Sequence, residues 1–463
     1  ALVCGTRGRW FESTLLYQKM TKEKNNKPSK ELPVGFVDRQ EKELLVRDFI
    51  ISNIKEVMIK YGFQYLETPS FEYSDSIGKF LPDKERPDEG VFSFRDENKW
   101  LSLRYDLTAP LARYVAKNFL EIPKPFKRYQ LGTVWRNEKP GPGRFREFLQ
   151  FDADFVGTKS LQADAELCVM ISEILENCGL TKSEYIIKIS SRKITEELFK
   201  KININENQQK LTALRALDKI DRLGWDGVKE LLGAGRKDKS GDFTKGANLK
   251  SEDIEVIEKT LKKKSPETED LAEIFKIFKD YNFTNFEFDP SIIRGLEYYT
   301  GVIFEVNLKF DVKNKKGQVI QFGSIGGGGR YDNLVNNFGN FDAPATGISI
   351  GLDRLVYALM QKKEFKIKQS KPVVICVFDK NSMKEYINVQ TILRKAGISA
   401  EIYPGESKLK KQMEYANKIK SPAVILYGED EIKLGKPTLR NLSSGKEQSI
   451  KIKELVNEIK KII

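Results

Sequence analysis

The sequence predicts an α/β chain of the α+β kind. An antiparallel sheet flanked by helices carries a helical insertion, and a separate three-layer α/β domain follows at the C-terminus. Three observations predict it. Two long segments, near 126–135 and 145–156, alternate apolar and polar residues around a Gly/Pro loop. Residues 205–280 are charged, with Leu/Ile at helical spacing. From residue 371 onward, short apolar runs alternate with helical patterns. A length of 463 residues suits two to four such domains.

Taken in order, Leu44 to Tyr61 has helical apolar spacing, and Gly62 is a natural C-terminal stop. Phe63 to Thr68 reads as extended and ends at Pro69. Val91 to Phe94 and Leu101 to Arg104 read as paired strands joined by the polar turn Asp96 to Lys99. Pro110 is expected to open a helix that runs through Ala116, because proline suits the first helical turn. Phe126 to Trp135 and Phe145 to Val156 form a long antiparallel hairpin across the loop Lys139 to Gly143. Leu161 to Asn177 is helical. The insertion, 205–280, is mostly helical and is interrupted by Gly233 to Gly246. Strands return at Thr300 to Leu308 and at Val319 to Ser324. Thr346 to Ile350 leads into a helix beginning near Leu352. A Lys-rich linker, 362–370, precedes the C-terminal domain, 371–463, whose sheet should be mixed.

Composition limits the chemistry. The formal charge is +13, and residues 371–463 hold 18 Lys+Arg against 11 Asp+Glu. A lysine-rich background would give this, and so would a polyanionic partner such as RNA or DNA. The C-terminal excess favours a basic module there. No run of about 18 uncharged apolar residues occurs, so no spanning helix is expected. Cys4, Cys168, Cys178 and Cys376 are scattered without a CxxC pair. That fits a reduced, cytoplasmic protein rather than a disulfide framework or a structural zinc site. The chain contains no histidine. A Ser-His or Cys-His nucleophile pair, a histidine base and an HExxH metal site are therefore excluded. Carboxylates, Arg, Lys, Tyr and backbone suit phosphoryl or nucleotidyl transfer, where a protein mainly positions groups and neutralises charge.

Residues 1–32 are expected to be a disordered or spurious extension. Trp10-Phe11-Glu12-Ser13 can be encoded by TGG-TTC-GAA-TCC, which contains a common T-arm sequence of tRNA genes. One reading is a frame that runs in from an upstream tRNA gene, with translation starting at Met20. The other is an ordinary flexible extension.

Four segments carry chemistry. In VWRNEKPGPGRFREFLQFDAD, 134–154, Arg136 and Glu138 end one strand, and Arg144 and Arg146 follow in the loop. Alternation places Gln150, Asp152 and Asp154 on one face of the return strand. Arginine forks bind phosphate in pairs of hydrogen bonds. In RGLEYYTGVIFE, 294–305, an Arg-Gly turn precedes two tyrosines and a strand. In GSIGGGGRYD, 323–332, four glycines allow close backbone approach to a ligand. In GISIGLDRL, 347–355, an arginine sits in a first helical turn. Each has a bland alternative: a salt-bridged hairpin, a strand with core aromatics, or a tight strand–helix junction.

Together and in this order they resemble the class II aminoacyl-tRNA synthetases, and within them the histidyl-tRNA synthetase family. Residues 61–73 look like the first class motif, 134–154 like the second and 347–355 like the third. LRYDLTAPLARY, 103–114, and RGLEYYTG, 294–301, resemble the segments particular to the histidine enzymes. The resemblance runs from about Pro33 to the C-terminus. It implies a class II catalytic domain at 33–361 and an anticodon-binding domain at 371–463.

The resemblance also implies a site. Arg136 would hold the ATP α-phosphate, Glu138 and Arg144 would lie around adenine and the β/γ-phosphates, and Arg354 would pack against adenine. Arg294 would lie against the α-phosphate, so Arg294 and Arg136 would be the catalytic pair. Asp106, Thr108 and Gln150 would hold the amino acid's ammonium and carboxylate. Asp154 and Tyr299 would reach its imidazole, with Tyr298 and Tyr331 lining the pocket. Many relatives carry Glu where this chain has Asp106 and Asp154. The implied partners are ATP, L-histidine, tRNA(His) and a second copy in a homodimer. Mg²⁺ would accompany ATP, with no zinc, no organic cofactor and no metal held directly by protein ligands. The implied reaction is formation of histidyl-adenylate, then transfer to the terminal ribose of the tRNA, without an editing domain. A regulatory paralogue, another class II synthetase such as the prolyl or threonyl enzyme, and an inactive RNA-binding relative are the alternatives.

Overall fold

A computed structural model describes residues 29–78, 90–238, 241–263, 265, 268–294, 298–362, 371–405 and 407–463. The proposed start at Met20, most of the 362–370 linker and Gly295-Leu296-Glu297 lie outside these residues. The chain divides into two compact units, Ala1–Phe365 and Lys366–Ile463.

The first unit is organised by eight strands: β1 (Gln64–Tyr65), β2 (Phe126–Trp135), β3 (Glu147–Val156), β4 (Tyr185–Ser191), β5 (Phe286–Phe288), β6 (Val302–Leu308), β7 (Gly326–Arg330) and β8 (Ala345–Gly351). Their spatial order is β1-β2-β3-β8-β7-β6-β4-β5. Only the outer pairs, β1 with β2 and β5 with β4, run parallel. The six strands between are antiparallel, as the hairpin predicts. That hairpin pairs Phe126 with Val156 and Trp135 with Glu147, without a slip.

Side chains of a strand alternate between two faces. Tyr129, Phe151, Ala153, Phe155, Phe304, Val306, Ile348 and Ile350 fall on one face and are buried. Helices Leu161–Asn177 and Leu352–Leu359 pack on the central strands β8 and β3, and helix Glu41–Lys60 packs on both helices. Tyr61 and Gly62 end that first helix, and Gly62 takes the left-handed φ of +70°. Helix Glu269–Asp280 also packs against Leu161–Asn177. The helical cluster before it, 207–261, has its own core of Ala213, Leu217, Val228, Leu232, Ile257 and Leu261.

Three local expectations are corrected. The helix expected to open at Pro110 begins at Thr108. The reason is Asp106, whose Oδ1 accepts from the backbone N–H of Thr108 (3.1 Å) and Ala109 (2.9 Å), satisfying donors that a helix start leaves open. The strand expected over Val319 to Ser324 is only Val319–Ile320, paired with Val312–Lys313. The four-glycine run is itself the inner strand β7. A Cβ at Gly328 would lie 1.9 Å from the Gly347 carbonyl, so neighbouring backbone, rather than a ligand, occupies that side-chain space.

A small sheet joins Phe71–Tyr73, Lys99–Leu103 and Ser93–Asp96. Glu72 in it binds Arg113 of helix Thr108–Lys117 through two hydrogen bonds, 2.6 and 2.9 Å.

The second unit has strands β9 (Val373–Ile375), β10 (Ala400–Ile402), β11 (Ala423–Leu426), β12 (Thr438–Asn441) and β13 (Glu447–Ser449), in the order β10-β9-β11-β12-β13. The first three are parallel and the last two antiparallel, so the sheet is mixed. Val373 and Ile375 join one core with Tyr386, Val389 and Leu455. Val374 and Cys376 join another with Ala416. Two cores on alternate residues make three layers.

Candidate active site

The other face of the eight-stranded sheet is polar. Register places Arg128, Gln130 and Gly132 of β2 opposite Asp154, Asp152 and Gln150 of β3. Beyond them lie Gly347, Ser349 and Gly351 of β8, then Gly329 and Gly327 of β7, then Glu305 of β6. Glycines on this face leave a floor without side chains. Two of the vacated positions are taken by functional side chains: a Cβ at Gly347 would meet Asp154 Oδ1 at 1.9 Å, and one at Gly327 would meet Arg294 Nη1 at 2.5 Å.

The floor carries buried carboxylates. Asp154 forms an ion pair with Arg128 Nη2 at 3.0 Å and accepts a hydrogen bond from the Tyr331 hydroxyl. Arg128 also donates to the Leu107 carbonyl at 2.9 Å. Asp152 accepts from Gln150 Nε2 (2.7 Å), Ser349 Oγ (2.7 Å) and Thr108 Oγ1 (3.3 Å). Burial, reinforced by neighbouring Asp154, pushes the Asp152 carboxyl up to about 7. Burial raises Asp154 and Asp106 too, against the pull of Arg128 on the first and of helix N–H groups on the second. Tyr298 stands edge-on to Tyr331 at 5.7 Å between ring centres and touches Tyr299 at 4.9 Å. The result is a cluster of phenols beside buried acceptors, chemistry suited to a small ligand that brings several N–H donors.

Arginines occupy the adjoining floor. Arg136 lies 4.4 Å from the Tyr105 ring centre, and its Nε donates to the Tyr105 carbonyl at 3.2 Å. The Tyr105 hydroxyl donates to Glu138 at 2.7 Å. Burial opposes the charge of Arg136, but Tyr105, Glu138 and Asp106 outweigh it. Arg294 sits at a left-handed φ of +53°, which non-glycine residues rarely adopt, and its Nη1 reaches Glu305 at 3.2 Å. Such an outlier holds only where its surroundings fix it. Burial opposes this charge as well, and Tyr299 and Glu305 outweigh it. Arg354 lies 4.7 Å over the Phe322 ring, and its buried Nε has no partner. Burial, together with the like charge of Arg144, lowers Arg354 to about 10. An anion bound here would relieve both the burial and the like charge.

Asp353 ties the segments together. It accepts from Arg39 Nε at 2.8 Å and from the Leu149 backbone N–H at 2.7 Å.

Of the residues given a role from the sequence, Asp106, Thr108, Gln150, Asp154, Tyr298, Tyr299 and Tyr331 gather around the buried acceptors, and Arg136, Glu138, Arg294 and Arg354 lie on the arginine side. Arg144 is near enough to act on the charge of Arg354. Asp152, Arg128, Ser349 and Tyr105 complete the site and were not assigned a role from the sequence. Alternation along 147–156 signals Asp152, but the contribution of Arg128 depends on a pairing 26 positions away that only register reveals.

Comparisons with known proteins identify the family. The histidyl-tRNA synthetase family model matches residues 35–355, and the anticodon-binding domain model matches 372–462. The histidine–tRNA ligase of Bartonella quintana is 46% identical over 460 residues, covering 93% of this chain and 92% of that protein. That of Brucella ovis is 44% identical over 463 residues, covering 94% and 92%. The crystal structure of histidyl-tRNA synthetase from Nostoc sp. PCC 7120 superposes with a TM-score of 0.70 at 26% identity, covering 94% of this chain and all of that one.

Proposed function

Because the chain belongs to the histidyl-tRNA synthetase family, and is thereby a histidine–tRNA ligase, we propose that the polar face of its sheet is where histidine is activated. One observation carries this. A cluster of buried acceptors lies on the same face as the guanidiniums of Arg136, Arg294 and Arg354, with Arg144 near enough to act on the charge of Arg354.

Histidine lies among the buried acceptors. Asp106, Thr108 and Gln150 hold its ammonium and carboxylate, and Asp154 and Tyr299 face its imidazole, with Tyr298 and Tyr331 as walls. ATP lies along the arginines. The histidine carboxylate oxygen attacks the α-phosphorus, and the bond to the bridging β-phosphate oxygen breaks to release pyrophosphate. Arg136 and Arg294 meet the charge that develops on the α-phosphate oxygens, while Glu138, Arg144 and Arg354 position adenine and the outer phosphates. The 3′-terminal ribose hydroxyl of tRNA(His) then attacks the acyl carbon, and AMP leaves. Neither step needs a histidine base.

Mg²⁺ enters as part of the nucleotide substrate. It takes oxygen ligands, mostly phosphate and water, and Glu305 is a carboxylate on the same floor beside Arg294. Neither zinc nor an organic cofactor is invoked. The second unit, with its basic excess, holds the anticodon arm through backbone contacts. Phe71, Tyr73 and Phe94 are exposed on one face of the small sheet, and a second copy covering them gives a homodimer. Buried, unpaired Cys168, Cys178 and Cys376 fit a reducing cytoplasm. Among the described residues no helix is long and apolar enough to cross a membrane. The anticodon-binding match at 372–462 leaves the regulatory alternative without support. ATP–pyrophosphate exchange measured with each of the twenty amino acids tests the proposal. Exchange with histidine alone is expected; exchange driven by another amino acid, or none with histidine, refutes it.

A further inference from the structure

We propose that Asp152 is a positioning residue that fixes which end of the Gln150 amide faces the substrate. The inference rests on the proposal that Asp106, Thr108 and Gln150 hold the histidine ammonium and carboxylate; it assigns Gln150 to the ammonium and explains how an amide comes to serve a cation.

A primary amide has two ends of nearly equal size, one donor and one acceptor, and only the acceptor suits an ammonium. Something must decide which end is presented. Gln150 Nε2 donates to Asp152 Oδ1 at 2.7 Å and to Ser349 Oγ at 3.0 Å. Its Oε1 is buried and has no partner among the described residues. A buried acceptor left open is costly unless something else fills it, and the proposal gives that place to the amino acid's ammonium.

Asp152 controls both of the amide's neighbours. Above about pH 7, where its carboxyl is ionised, Asp152 only accepts. Asp152 therefore takes the hydroxyl hydrogen of Ser349 at 2.7 Å and that of Thr108 at 3.3 Å. With its hydrogen committed, Ser349 can offer Gln150 only an oxygen. The amide thus meets two acceptors and must turn Nε2 toward them. The reversed amide would set Oε1 against both oxygens and lose two hydrogen bonds. Strand pairing makes the set rigid: Gln150 and Asp152 are two residues apart on β3, and Ser349 lies directly opposite Asp152 on β8.

Replacing Asp152 by asparagine keeps the shape but adds a donor, so the amide of Gln150 can adopt either orientation. The test, run at pH 8 where Asp152 is ionised, measures KM for histidine and ATP, and inhibition constants for two probes. L-Histidinol keeps the ammonium and lacks the carboxylate; imidazolepropionate keeps the carboxylate and lacks the ammonium. Asp152→Asn should raise KM for histidine and the inhibition constant of histidinol together, by about tenfold. KM for ATP, kcat and the inhibition constant of imidazolepropionate should stay within about twofold. Ser349→Ala, which keeps the carboxylate, should shift the same two quantities in the same direction by less. Equal weakening of both probes, or no weakening of histidinol in either variant, overturns the proposal. Gln150→Ala separates the two levels. If it weakens histidinol while Asp152→Asn does not, only the orienting role fails. If it leaves histidinol unchanged, the reading of Gln150 fails, and this inference with it.

Discussion

The two faces of the eight-stranded sheet are made from alternate residues of the same strands, and they do opposite things. On one face Phe151, Ala153, Ile348 and Phe304 are buried beneath helices, and their contribution is burial of apolar surface. On the other, Gln150, Asp152, Asp154 and Ser349 are equally hidden from solvent or nearly so, but they are polar, and the sheet tolerates them only because each finds partners or waits for one. The lesson is that one period-two pattern specifies a core and a reagent surface at once. A shift of one residue in register would exchange them.

The comparison can be broken at its strongest point on the polar face. Arg294→Ala should reduce histidine-dependent pyrophosphate exchange by about 10²–10³-fold, the usual cost of removing one preorganised donor to developing charge. Its unfolding midpoint and tRNA affinity should be nearly unchanged. Exchange within about threefold of the parent would remove Arg294 from the chemistry.

A smaller effect sharpens the comparison, because it separates function from stability. A carboxyl in an unfolded chain ionises near 4, whereas burial and Asp154 bring Asp152 up to about 7. The group's favourable contribution is therefore fully present below about 4 and is lost as pH rises through about 7. An asparagine at this position cannot ionise. The Tm of Asp152→Asn relative to wild type should rise by a few degrees between pH 5 and pH 8. Asp154, Asp106 and Arg128 face the same space, with Tyr298 and Tyr331, so both proteins must be followed across the whole range. A Tm difference independent of pH would show that Asp152 carries no such burden.

Much of this was legible in the sequence, and the illegible parts have physical causes. The hairpin 126–156 is plain because its alternation is sustained over ten residues on each side. The two tyrosines and the arginines were proposed from the order of the four segments, and the helix Leu352–Leu359 begins where it was expected. The strand at 326–330 was not, since glycine has no side chain with which to signal a period. What makes it a strand is backbone pairing with the strands on either side. The small-sheet strand at Phe71–Tyr73 was also missed, being only three residues long. Asp152 was placed on the right face but given no role. Its importance depends on Ser349, 197 positions later, and on which way an amide points.

The separation of the two faces is tested most directly by adjacent residues of one strand. Pyrophosphate exchange per folded molecule should be measured for Gln150→Ala and Phe151→Ala. Phe151→Ala should cost about 3–5 kcal/mol of stability, yet leave the rate and KM of the molecules that remain folded nearly intact. Gln150→Ala should leave the unfolding midpoint close to wild type and raise KM for histidine by about tenfold or more. If both variants lose catalysis and stability in step, the faces are not functionally separate and the account is wrong.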